Sequence, residues 1–130
     1  MFRVSLIDER QEIAAVYNGK PCLDVGLMTD VFSGYGKSDG IIRAVRCMSP
    51  DYIVTDELGA DAESIRQAVN SGSGLIMTAH ADSIEEAYRN EGIRTVIDSG
   101  AIQHIALVQS HRITAVKQLI TAEANAVCTI

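Results

Sequence analysis

Short apolar runs that stop abruptly at polar residues give this chain its pattern. Phe2 to Ile7 runs into Asp8-Glu9, Tyr52 to Thr55 runs into Asp56-Glu57, and Leu75 to Thr78 runs into Ala79-His80. Each run is short, apolar and bounded by breakers, which is the form of a buried strand. Pro50 separates the second run from what precedes it, because it favours extended backbone at Ser49 and cannot continue a helix. Between the runs lie stretches of helical period. Ile41, Ile42, Ala44, Val45 and Met48 predict a short helix, and Ile65, Ala68 and Val69 share one face of a second. Asp61 offers that second helix an N-cap, and Ser71-Gly72-Ser73-Gly74 ends it. Ser83, with Glu86 three residues on, has the spacing of a capping box, and Gly92 and Gly100 bracket a further helical piece. Ile102 to Val108 and Ile113 to Ile120 predict two late strands joined by a turn at Ser110-His111-Arg112. Asn18 to Gly40 is rich in Gly, Asp and Ser, carries Pro21, and reads as a long loop or a short irregular ribbon. Strands alternating with helices predict an α/β fold, a mostly parallel sheet flanked by helices, in one domain over residues 1–130.

Composition narrows the function classes. With 130 residues, 47% of them hydrophobic, the chain can bury a core of its own. No window approaches the roughly 18 uninterrupted apolar residues of a membrane span. Arg3, Asp8, Glu9 and Arg10 interrupt the N-terminal apolar run, so it does not read as a signal peptide. A net charge of −6 argues against nucleic acid as a partner, since phosphate binding needs a basic surface. Cys22, Cys47 and Cys128 are odd in number and lack metal-ligand spacing, so they read as reduced, buried or half-buried thiols. The expectation is an acidic, soluble, cytoplasmic domain.

Parallel strands bring their C-terminal ends to one edge of a sheet, where open α/β folds place ligands. The three polar strand ends, Asp8-Glu9 with Glu12, Asp56-Glu57, and Thr78-Ala79-His80, are therefore expected to converge. Asp56-Glu57 after an apolar strand has the form of a Walker B site. There one acid holds the magnesium of a nucleotide and the next polarises the attacking water. The plain alternative is a strand that runs into an acidic, solvated turn. Gly36-Lys37-Ser38 looks like the end of a P-loop, but Val31 stands where the first glycine belongs. Leu27-Met28-Thr29-Asp30 also makes an unconvincing central strand, so the segment reads as a decoy. His104 and His111 have no ligand-like partner in sequence. The four tyrosines are not spaced as a stacking platform, and no nucleophile elbow is present.

The order of these motifs resembles the secretion-superfamily ATPases, which carry an acidic box, a Walker B strand and a histidine box. The stage III sporulation protein AA family is the nearer likeness. It is similar at Ile7-Asp8-Glu9-Arg10, Glu12-Ile13-Ala14, Tyr17-Asn18-Gly19, Asp24-Val25-Gly26 and Thr29-Asp30-Val31. The likeness continues at Met48-Ser49-Pro50, Asp56-Glu57-Leu58-Gly59 and Thr78-Ala79-His80. Met28 stands where that family is expected to have an arginine.

The resemblance implies a partial RecA-like P-loop core and ATP hydrolysis with Mg²⁺ and ATP as cofactors. Asp56 would orient the metal, Glu57 would act as general base, and His80 would contact the γ-phosphate region. Glu9 and Glu12 would form the acidic box, with Glu9 assisting catalysis and Glu12, with Thr78, on the cofactor side. Arg43 and Arg46 are candidates for phosphate or intersubunit contacts, against the plainer reading of a solvated helix face. The implied partners are further copies in a ring and the membrane channel proteins of a sporulation stage III complex. The implied location is cytoplasmic, at the inner face of a membrane. The family's P-loop precedes the acidic box, and only Met1 to Ser5 stands there, so the chain is expected to lack Walker A and to be inactive alone. Loss of the P-loop strand would leave a gap beside Leu75 to Thr78, predicting an oligomer or a sheet that closes up. A competing expectation is a non-catalytic interaction module that assembles through that edge. A third is a phosphate-binding protein that uses Gly36-Lys37-Ser38.

Overall fold

The computed structural model describes residues 1–57, 62–119 and 126–129. Their strands are β1 (Val4–Asp8), β2 (Thr29–Ser33), β3 (Tyr52–Glu57), β4 (Gly74–Thr78), β5 (His104–Gln109), β6 (Arg112–Gln118) and β7 (Ala126–Thr129). The helices are α1 (Lys37–Met48), α2 (Ala62–Asn70), α3 (Ile84–Ala87) and α4 (Glu91–Asp98). The strands form one sheet in the order β2-β1-β3-β4-β7-β5-β6. Every neighbouring pair is parallel except β5 with β6. The α/β fold with a mostly parallel sheet is as expected from the sequence.

Strand β1 shows how the two faces of the sheet differ. Its last four residues are all buried, yet successive side chains point to opposite faces. Ile7 joins the core with Ile41, Ala44 and Ile53, on the face carrying the helices. Asp8 points the other way, beneath the loop that follows β1, and is fully buried there. Helix α1 comes close to β1 because residue 40 is glycine. A Cβ at Gly40 would meet Ile7 Cγ2 at 2.7 Å. Gly40→Ala is therefore expected to lower stability by about 1–2 kcal/mol, even though alanine favours a helix interior. A urea midpoint at or above that of the wild type would contradict this close approach.

The predicted strands and helices are present, with shifts in their ends. Asn18 to Gly40 is not one loop. It contains β2, and α1 begins at Lys37 rather than Ile41. β2 lies at the sheet edge beside β1, where its mixed sequence Thr-Asp-Val-Phe-Ser is tolerated. The Ser83 hydroxyl accepts from Glu86 N–H at 3.1 Å, and the Glu86 carboxylate accepts from Asp82 N–H, so the capping box forms one residue displaced. Asp61, the expected cap of α2, lies outside the described residues. The late hairpin turns through Ser110 and His111, both with positive φ (50° and 62°), which suits a tight two-residue turn. Cys22 and Cys47 are exposed free thiols rather than buried ones. Cys22 lies in the loop after β1, and Cys47 lies near the exposed end of α1.

No bare edge stands beside Leu75 to Thr78. Strand β7 pairs in parallel with β4 on one side and with β5 on the other, which is the closed-up arrangement. No helix among the described residues is long and apolar enough to cross a membrane.

Candidate functional site

The carboxyl ends of β1, β3 and β4 lie side by side, since β3 pairs with β1 on one flank and β4 on the other. Glu57, the last residue of β3, stands in register with Thr78, the last residue of β4. Two basic groups flank its carboxylate. Arg10 Nη1, from the loop after β1, lies 3.6 Å from Glu57 Oε2, and His80 Nε2, just past β4, lies 4.0 Å from the same oxygen. The Glu57 and His80 side chains are 39% and 89% exposed, so this part of the site faces solvent. Arg10, quoted among the sequence motifs but given no role, is a member of the site. Its place one residue beyond the Asp8-Glu9 strand end was the available signal.

Asp56 lies deeper, with its side chain 11% exposed. Its Oδ1 accepts an ion pair from Lys37 Nζ at 2.9 Å, and Oδ2 is buried with no hydrogen-bond partner among the described residues. Lys37 also donates to the Glu57 carbonyl. Gly36-Lys37-Ser38 therefore turns its lysine inward, onto β3, rather than outward as a phosphate ligand.

Glu9 and Glu12 are exposed in the loop after β1. Among the described residues no hydrogen bond or ion pair ties either carboxylate to Asp56, Glu57 or His80. The carboxylate that organises the loop is that of Asp8. It accepts from the backbone N–H of Glu12 (2.9 Å), Ile13 (3.1 and 3.2 Å) and Ala14 (2.8 Å). Arg43 pairs with Asp39 at 2.9 Å on the exposed side of α1, the solvated helix face that was the plainer reading.

The described residues contain no group of three or more His, Cys, Asp or Glu that would enclose a metal. Magnesium in nucleotide sites is held by one or two carboxylates, waters and the phosphates. The unpartnered Asp56 Oδ2 fits that demand, since a buried carboxylate oxygen without a donor is costly. A cavity of about 540 Å³ lies at the other edge of the sheet, beside Arg3, Tyr52 and Gly74 at the starts of the strands. There the Asp51 carboxylate is held below its usual range, first by the Arg3 backbone amide and then by the charge of its guanidinium.

The family described as sporulation stage III, protein AA matches residues 2–124. Among curated proteins, the "Stage III sporulation protein AA" of Bacillus subtilis (strain 168) is 29% identical over 101 residues. That alignment covers 76% of this chain and 33% of the relative, so the chain spans about a third of the length of the curated relative it matches. No solved structure matches.

Proposed function

Because this chain belongs to the stage III sporulation protein AA family, we propose that it is part of a RecA-like, magnesium-dependent ATPase core. That core would work as a ring at the cytoplasmic face of a membrane, with channel proteins of a sporulation complex as partners. The observation that carries this reading is one constellation. Glu57 lies between Arg10 and His80, beside an Asp56 whose second oxygen is buried and has no hydrogen-bond partner among the described residues.

The roles follow from the chemistry of each group. The Glu57 carboxylate is exposed enough to meet a water and accepts its proton as the water attacks. Arg10 and His80 approach the same carboxylate from two sides and so border the space where phosphate charge develops. Asp56 anchors the metal, with Glu9 and Glu12 as acceptors for its waters and Thr78 on the nucleotide side. Bound magnesium would supply neutralising charge to the phosphates.

The chain alone is expected to bind nucleotide poorly, because Lys37 is committed to Asp56 and the Glu57 carbonyl. Calorimetric titration with Mg²⁺-ATP should give a Kd weaker than about 100 µM, or −5.5 kcal/mol. Tighter binding would return Gly36-Lys37-Ser38 to the role of a phosphate cradle. The test of function is a chimera in which the matched segment of the Bacillus subtilis relative is replaced by this chain. Magnesium-dependent ATP turnover by the chimera supports the proposal, and its absence in a chimera that binds Mg²⁺-ATP overturns it. The competing reading, an interaction module built on the edge beside Leu75 to Thr78, is less well supported because β7 pairs along that strand.

A further inference from the structure

Lys37 takes no part in the chemistry above, yet it is only 7% exposed. An ammonium group is costly to bury unless it is paired and hydrogen-bonded. Here both needs are met by two consecutive residues at the end of β3, the Asp56 carboxylate at 2.9 Å and the Glu57 carbonyl. That strand end is also irregular. Val54 is in register with Ile76 and Glu57 with Thr78, so three steps along β3 match two along β4. A regular strand would send Asp56 and Glu57 to opposite faces. The extra residue breaks that alternation and leaves part of the ladder without its partners. Lys37 supplies a donor there from the first residue of α1, a helix seated on β1 through the close approach of Gly40 to Ile7.

We propose that Lys37 is a positioning residue for the hydrolytic pair. It clamps the bulged end of β3, holding the Asp56 carboxylate by Oδ1 so that Oδ2 is left for the metal. It also fixes the Glu57 backbone so that the side chain reaches toward Arg10 and His80. The catalytic consequence rests on the ATPase reading of this site, whereas the clamp itself does not.

Two measurements separate these parts. The first is thermal melting of this chain carrying Lys37→Met, Asp56→Asn, or both. Each single change leaves a buried polar or charged group without its partner and should lower Tm by roughly 10 °C. The double variant should recover at least half of the larger loss, because no lone buried charge remains. A Lys37→Met melting point within about 2 °C of wild type overturns the clamp. So does a double variant no better than the worse single one. Lys37→Gln, uncharged but still able to donate to the Glu57 carbonyl, serves if the Met variant does not fold.

The second is kinetics in the chimera. Lys37→Met should lower kcat at least about tenfold with KM within about threefold, and combined with Asp56→Asn the losses should be clearly less than additive, because one arm of the clamp ends on Asp56. Additive losses, or a change in KM alone, overturn the positioning role. A wild-type chimera that binds but does not hydrolyse ATP overturns the ATPase reading and the positioning role with it. The melts still decide the clamp.

Discussion

Glu57→Gln in the chimera should lower kcat by about 100-fold or more while leaving the affinity for Mg²⁺-ATP within about threefold. Glutamine keeps the size of the side chain and one acceptor oxygen, so it can still face Arg10 and His80, which lie 3.6 and 4.0 Å from the native carboxylate. What it loses is the capacity to take a proton from water. Retained binding with lost turnover would therefore assign Glu57 to the chemical step. Equal losses in binding and turnover would instead make it a structural or nucleotide-contacting residue. A fall of less than about tenfold would remove it from the role of general base. His80→Gln in the same background is expected to do less harm, since the His80 side chain is 89% exposed and its Nε2 lies 4.0 Å from Glu57 Oε2, beyond hydrogen-bond reach.

The sequence made the strands that carry this site easy to find, because each is a buried apolar run with a sharp polar end. Tyr52 to Glu57 is bounded by Pro50, and Leu75 to Thr78 by the Ser71 to Gly74 turn. The converging edge follows from their parallel pairing, which alternation with helices implies. β2 was illegible for a physical reason. An edge strand needs only one partner, and Thr29 to Ser33 is stabilised by pairing with β1 rather than by an apolar sequence of its own. The start of α1 was hidden in the same way. Gly36 is its N-cap without a side-chain hydrogen bond, so no Ser, Thr, Asp or Asn announced it. β7 depends on long-range pairing with β4 and β5, which no local pattern reports. It also lies beyond the 2–124 span that matches the family.

The candidate site was legible as residue types and less so as contacts. Asp56, Glu57 and His80 were identified from strand ends, but which acid would be buried was not. Lys37 illustrates the limit. Its place in a Gly-Lys-Ser triplet suggests an outward phosphate ligand, and only the packing of α1 beside β3 shows that it turns inward. The same holds for the Asp8-Glu9 strand end, where the family resemblance implied acidic-box roles for Glu9 and Glu12, and only the buried contacts single out Asp8 as the residue that organises the loop.

Asp8 is where a loss of stability as large as that at Lys37 is expected. Its carboxylate is fully buried and both oxygens accept backbone N–H groups, Oδ1 from Glu12 and Ile13, Oδ2 from Ile13 and Ala14. The loop so held includes Gln11 and Ala15, non-glycine residues with φ of 60° and 48°, a conformation that needs compensation. Asp8→Asn should be nearly as harmful as Asp8→Ala. The amide NH₂ would present hydrogens to backbone N–H groups that already point inward, so one side of the cradle becomes donor against donor. Each change is expected to cost about 3 kcal/mol or more, or roughly 10 °C in Tm. Hydrogen exchange at the amides of Glu12, Ile13 and Ala14 should lose protection before the rest of β1, because their acceptor is the part removed. Arg10 sits on this loop beside Glu57, so an Asp8 variant that folds in the chimera should also lose turnover there. Stability within about 1 kcal/mol of wild type for Asp8→Asn would show that the loop is held by something other than this carboxylate.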